Sequence, residues 1–289
     1  MPTAQINGVS IHYEVTGTGP PLVFSHEFAG DSRSWKPQID AFSSDYQCVT
    51  WNYRGFPPSE VPEDRGSYSQ DILVEDLRAL LDHLEIERAH VVGLSMGGSV
   101  TLHFALAYPE RCLSAVVAGA GTGSVDRPQF EADVARIVEL LSTRTMPEFA
   151  EIYAYAPTRT PFLEKDPRGW ELFREQLAEH SAVGSANMMQ EVQLKRPTIF
   201  SLEEQLTSLT VPTMIIIGDE DEPCVEPAIF MRRKIPTSGL IVLPQSGHTI
   251  NLEEPAMFNQ AIEMFLTMVN EGRWRTRGTV STSMMPSGE

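Results

Sequence analysis

Hydrophobic and polar positions follow two different periods along this chain. Residues 3–16 alternate apolar and polar and are interrupted by Asn7-Gly8, which predicts a β-hairpin. Short apolar runs at 21–26, 46–53, 90–94, 113–118, 214–217 and 239–243 read as buried strands. Between them lie helical spacings at 34–42, 69–84, 99–108, 227–234 and 254–270. The clearest is 69–84, with Ile72, Leu73, Leu77, Leu80, Leu81 and Leu84 on one face. Strands alternating with helices predict an α/β fold, with a mainly parallel sheet and helices on both faces.

The pattern lapses between about 124 and 200. This stretch has helical segments near 127–143, 146–155 and 168–193, no convincing strand, and Pro128, Pro147, Pro157, Pro161 and Pro167 as punctuation. It reads as a helical cap inserted over the sheet edge. The expected organisation is a core at 1–123 and 201–270, a cap at 124–200 and a tail at 271–289. The tail is rich in Gly, Ser, Thr and Arg without apolar periodicity, and a docked arm contacting another subunit is its alternative.

Composition narrows the class. With 289 residues, 42% hydrophobic and 21% charged, the chain has a soluble globular balance. No stretch approaches the about 18 apolar residues of a membrane span, and the N-terminus lacks a signal peptide's basic and apolar regions. A cytoplasmic location is the expectation. A net charge of −17 disfavours nucleic acid and anionic membranes as partners. Cys48, Cys112 and Cys224 are odd in number and far apart, which does not make a disulfide framework. Cys224 has no partner signature and is read as packing.

The chemistry concentrates at Gly93-Leu94-Ser95-Met96-Gly97-Gly98, between a predicted strand and a predicted helix. A Gly-x-Ser-x-Gly in that context is a nucleophile elbow, where the glycines let strand and helix pass closely and the serine sits at the tip of a strained turn. Such a hydroxyl needs a base, and the base an orienting acid. His248, in Gln245-Ser246-Gly247-His248, follows the last strand and falls at the same sheet edge as Ser95. For the acid, Gly218-Asp219-Glu220-Asp221-Glu222 offers four carboxylates. Asp221, third after the glycine, is the choice because it has rounded the turn; Asp219 is the runner-up, and Glu220 and Glu222 are read as solvated. Oxyanion donors are expected from the backbone N–H of Met96, at the start of the elbow helix, and of Phe28, in His26-Glu27-Phe28-Ala29-Gly30.

These motifs resemble the α/β-hydrolase fold family over about residues 1–270. The elbow, the Gly-x-x-Asp loop, the Gly-His before a Glu-x-Pro helix, and Asn52-Tyr53-Arg54-Gly55 through Ser59 occur in the family's order. A lone Gly-x-Ser-x-Gly is weak; four motifs in order are specific. The resemblance implies an eight-stranded, mainly parallel sheet with an inserted helical cap, a triad of Ser95, Asp221 and His248, and His26 as a loop-fixing residue. Asn52, Pro57 and Pro58 depart from the family's usual loop. So does Glu27, where a glycine is usual. Its carboxylate either contacts substrate or turns into a loop network, and the second reading is favoured because loop carboxylates commonly accept local backbone N–H groups.

Other candidates stand lower. Tyr153, Tyr155, Trp170 and Phe173 are cap aromatics that line a pocket or hold the cap together. His83 and His180 are expected at the surface, and His103 packed. Metal-ligand spacing and a phosphate loop are absent from the sequence, so neither a metal nor another cofactor is expected.

Ser95 sets the sequence apart from the epoxide hydrolases and haloalkane dehalogenases that the family implies, which place Asp there. C–C bond hydrolases often carry Trp after the histidine, where this chain has Thr249. The leading expectation is a serine esterase (carboxylesterase) acting on small to medium carboxylic esters. A cofactor-free haloperoxidase or perhydrolase, an enol-lactonase and a C–C bond hydrolase are alternatives on the same triad, and a ligand receptor on a hydrolase fold is the non-enzymatic one. The partner is a small-molecule substrate; the oligomeric state is left open, with a homodimer among the options.

Overall fold

Apolar side chains on both faces of the strands divide the core of the computed structural model into two layers, one on each side of a single sheet. Residues 2–278 are described. The strands are β1 (Thr3–Ile6), β2 (Val9–Thr16), β3 (Pro21–Ser25), β4 (Gln47–Trp51), β5 (Ala89–Leu94), β6 (Cys112–Ala118), β7 (Thr213–Gly218) and β8 (Ser238–Leu243). They order as β1-β2-β4-β3-β5-β6-β7-β8, antiparallel at β1-β2-β4 and parallel from β4 to β8. The hairpin forms because Asn7 and Gly8 both take positive φ, 46° and 81°, which matches the twist of the flanking strands.

Alternation sorts the strand residues. Val23, Val49, Val91, Val117 and Ile215 face one layer; Leu22, Phe24, Val92, Val116 and Ile216 face the other. The helices before the insertion are α1 (Lys36–Phe42), α2 (Gln70–His83) and α3 (Met96–Ala107). Leu73, Leu77 and Leu80 of α2 and Val100 and Phe104 of α3 cover the first layer. Phe42 of α1 covers the second.

The insertion carries α4 (Arg127–Thr143), α5 (Met146–Tyr153), α6 (Thr160–Lys165), α7 (Pro167–Ala178) and α8 (Ala182–Asn187). The expected helix at 168–193 is interrupted. Ser181 caps a fresh helix by accepting from the Gly184 N–H, and Met188–Gln193 is a π-helical turn. His180, expected at the surface, is buried at this break, with Nε2 3.4 Å from Asp31 Oδ2.

After α9 (Glu203–Ser208), helix α10 spans Glu222–Lys234 and starts five residues earlier than its expected proline start, with Pro227 inside it. α11 (Ile250–Glu253) and α12 (Pro255–Asn270) complete the second layer through Ile250, Phe258, Ile262 and Phe265. The expected tail begins by docking on its own core. Trp274 Nε1 donates to the Thr237 carbonyl at 2.7 Å and its ring lies edge-on to Phe265. Residues 279–289 lie outside the described residues.

One ion pair braces the loops behind the site. Arg54 Nε and Nη2 meet Asp76 Oδ2 and Oδ1, both at 2.7 Å, and Asn7 Nδ2 donates to the same carboxylate at 2.9 Å. The pair ties the first hairpin and the loop after β4 to α2, with both partners buried. Removing one partner leaves an uncompensated charge, whose cost far exceeds that of a surface pair. Asp76→Ala is therefore expected to lose about 3–5 kcal/mol of stability, measured by urea denaturation. A loss under 1 kcal/mol would contradict this account.

Candidate active site

Three loops meet at the carboxyl edge of the sheet. The first is the turn between β5 and α3. Ser95 holds φ 56° and ψ −111°, a strained conformation for a non-glycine residue. Its N–H donates to the Ala118 carbonyl at 2.8 Å, which anchors the turn to β6. Gly93 and Gly97 are required by close approach. A Cβ on Gly93 would strike the Gly97 carbonyl, and one on Gly97 the Ser25 carbonyl of β3.

The second loop follows β8 and carries His248. The Glu253 carboxylate accepts from the Gly247 N–H at 2.8 and 3.0 Å, and the His248 N–H donates to the Thr158 carbonyl at 2.8 Å. His248 Nδ1 lies 2.8 Å from Asp221 Oδ2, and both residues are buried. Burial alone would lower the His248 pKa. The adjacent Asp221 charge and hydrogen bond outweigh it and hold the pKa well above the ordinary histidine value. Asp219 does different work: its Oδ1 accepts from the Ser246 N–H at 3.1 Å and braces the histidine loop. Glu220 and Glu222 are exposed.

The third loop follows β3. His26 Nδ1 lies 2.6 Å from the Glu27 carbonyl, and its Nε2 accepts from the Tyr53 N–H at 3.3 Å. Burial lowers its pKa to about 4, so the ring is neutral and suits both bonds. This fixes the path into Phe28. Among the described residues the N–H groups of Phe28 and Met96 take no protein acceptor. Asn52 substitutes for the usual residue by bonding the Ser32 N–H and the Pro57 carbonyl, each at 2.8 Å.

Ser95, Asp221, His248 and Phe28 open on one cavity of about 580 Å³. Most of its remaining wall comes from the insertion, including Phe130, Val134 and Ile137 of α4, Tyr153 and Met189. No hydrogen bond joins the Ser95 hydroxyl to His248 among the described residues, and contacts of this kind commonly tighten only around substrate. Four expected pocket residues, Glu27, Tyr155, Trp170 and Phe173, lie outside this wall. Tyr155 is 58% exposed, and Trp170 is buried with Nε1 donating to the Ala154 carbonyl at 3.0 Å. Their rings pack together at 4.7 Å and brace the insertion. The Cys224 thiol, by contrast, has partners: Thr122 Oγ1 at 3.2 Å and the Gly119 carbonyl at 3.3 Å. Its Sγ lies within 4.8 Å of ligand atoms on Asp221 and His248. Burial raises its pKa, so it stays a neutral thiol.

Glu27 does not join a local backbone network. Its carboxylate pairs with Arg159 of the insertion, at 3.1 Å from Nη1 and 2.5 Å from Nη2, with both side chains 2% exposed. Burial opposes the charge on Glu27, but Arg159 outweighs it and holds the carboxyl below its ordinary pKa. Arg159 Nη1 also donates to Thr249 Oγ1 at 2.7 Å, and its guanidinium lies over Phe173 and Tyr153. One cation thus bonds the residue after His248 and the residue before Phe28. Sequence spacing carries no sign of this pairing, nor of Arg196, which also lines the cavity.

A fold of this kind, with this elbow and edge, defines a class. The chain belongs to the alpha/beta hydrolase fold family, whose profile matches residues 20–255. It is similar to 3-oxoadipate enol-lactonase 2 of Acinetobacter baylyi, with 28% identity over 93% of this chain and 97% of that one. It is also similar to a thermophilic esterase of Thermogutta terrifontis solved with malate bound, with 27% identity, a TM-score of 0.80, and 92% and 97% of the two chains covered. A carboxylesterase structure from Nitrososphaera gargenis superposes with a TM-score of 0.84 over 94% of this chain and 100% of that one; at 24% identity that likeness carries the fold alone.

In an NMR titration the His248 ring is expected to titrate well above pH 6.5, and Asp221→Asn to bring it down, because the largest contribution opposing burial is then removed. Equal midpoints in the two proteins would refute the coupling. Glu27→Ala is expected to cost about 3–5 kcal/mol by stranding Arg159, whereas Glu27→Met with Arg159→Met costs far less. Calorimetry of the three proteins checks this, and additive losses would contradict it.

Proposed function

We propose that this hydrolase is a serine carboxylic ester hydrolase working through an acyl-enzyme on Ser95. The carrying observation is the buried Asp221–His248 pair on the same cavity as a serine held at φ 56°. In the deprotonated ring, with Nδ1–H donated to Asp221, the His248 Nε2 lone pair is the base for the Ser95 hydroxyl. Oγ attacks the ester carbonyl, and the N–H groups of Phe28 and Met96 receive the oxyanion. His248 then gives its proton to the leaving alkoxide. A water deprotonated by the same ring attacks the acyl-enzyme, and the acid leaves.

The insertion acts in this reading as a cap. Its α4 closes an apolar cavity whose volume accommodates small and medium esters rather than triglycerides. A second reading, hydrolysis of an enol-lactone, is favoured by the similarity to the Acinetobacter enol-lactonase across nearly both chains. A lactone is an internal ester, so the chemistry at Ser95 is unchanged and the leaving enol stays attached.

The test is covalent labelling with a fluorophosphonate probe, together with turnover of p-nitrophenyl esters, an enol-lactone and a peracid-forming mixture. Labelling is expected at Ser95 and lost in Ser95→Ala and His248→Ala, with kcat falling by about 10⁶ in the serine variant. Folded protein that neither labels nor turns over any ester would overturn the proposal. Faster enol-lactone turnover would select the second reading, and peracid formation exceeding hydrolysis would reassign the acyl acceptor.

A further inference from the structure

Among the described residues three arginines are buried, and they differ in one respect. Arg54 is matched by Asp76 and Arg159 by Glu27, each through two nitrogens. Arg196 is 8% exposed and joins no ion pair among the described residues. Its Nη2 donates to the Thr122 carbonyl at 3.1 Å, and its Nη1 has no hydrogen-bond partner. Burial lowers its pKa to about 10, which leaves it fully charged near neutrality.

A cation held this way needs a reason. Burying an unmatched guanidinium is costly, and the protein has twice met that cost with a carboxylate of its own. At Arg196 it has not, and Arg196 is the one of the two buried cavity-lining arginines without a carboxylate. Gln193, one helical turn earlier, lines the same wall, and its Oε1 is buried without a partner. The position is on the acid side of the site. Thr122, which holds Arg196, contacts Cys224, whose Sγ lies within 4.8 Å of an Asp221 carboxylate oxygen.

We propose that Arg196 is an anion subsite within this cavity and that the substrate is an ester or lactone bearing a carboxylate. The carboxylate pairs with the guanidinium while the scissile carbonyl lies at Ser95. The planar fork suits a carboxylate, and a partly dry apolar wall strengthens the pair relative to water. The inference rests on the ester-hydrolase reading for its reaction, but binding at Arg196 is measurable without turnover.

The experiment compares monomethyl glutarate with dimethyl glutarate, two esters of equal chain length that differ by one charge. Wild-type kcat/KM is expected to favour the hemiester by about 10- to 100-fold, the value of a charge-assisted bond to a desolvated cation. Arg196→Met is expected to collapse that ratio, and Arg196→Lys to retain part of it. In parallel, glutarate is expected to raise the Tm of the wild type and slow its fluorophosphonate labelling, with neither effect in Arg196→Met. A diester turned over as well as the hemiester, with no Tm shift by glutarate, overturns the anion subsite and needs no variant to fold. Loss of all turnover and labelling with the glutarate shift retained overturns the hydrolase reading instead and leaves the subsite standing.

Discussion

The site depends on a backbone contact. At the elbow, β3, β5, β6 and the first turn of α3 meet without side chains between them. Gly97 lies against the Ser25 carbonyl, Gly98 against the Ala118 carbonyl, and Gly93 against Gly97. That approach forces Ser95 to positive φ, and the Ser95 to Ala118 hydrogen bond holds it there. Strain of about 1–3 kcal/mol persists only where surrounding structure over-determines it. Here the parallel pairing of β5 with β3 and β6 does so. The same contact leaves the Met96 N–H at the open end of α3, where the helix dipole favours a developing negative charge.

The insertion is bound to the loops that carry His248 and Phe28. Thr158 accepts from the His248 N–H, and Arg159 bonds both Glu27 and Thr249. A movement of the 157–159 turn would therefore disturb His248 and the Phe28 loop together. This gives Glu27 a physical role consistent with replacing glycine. The loop gives up conformational freedom and gains a buried tether to the helical layer above it. Such a pair contributes little net stability against an apolar replacement, and its value lies in register between the two layers.

Features set by neighbours in sequence were legible; those set by distant packing were not. Asn7-Gly8 announces its turn because both positions need positive φ, and the elbow announces itself because its glycines answer a local clash. Asp221 and His248 were legible because each stands at a fixed offset from a strand end. Asp219 and Asp221 are separated only by which way a turn points, and hydrogen bonds to Ser246 and His248 decide it. Glu27 and Arg159 are 132 residues apart, and no periodicity links them. Tyr153, Tyr155 and Trp170 have the same aromatic character in sequence whether they line a cavity or brace a helix. The packing of Tyr155 on Trp170 puts that pair in the second group, while Tyr153 faces the cavity. Arg196 follows Lys195 in sequence, and nothing local distinguishes the two, yet only Lys195 is exposed.

Surface and cavity also carry opposite electrostatic messages. A net charge of −17 repels an approaching anion at long range. That field is screened beyond about 10 Å at 0.1 M salt, so it governs encounter rather than the bound state. The charged residues lining the cavity divide into exposed ones, Asp133, Arg136 and Glu222, and buried ones. Among the buried ones Asp221 is engaged by His248 and Arg159 by Glu27, while Arg196 has no protein carboxylate against it. Short-range attraction in a low-dielectric pocket exceeds screened repulsion from a distant surface. An acidic protein can thus hold an anionic group firmly, provided the group reaches a cation that the fold has left unmatched.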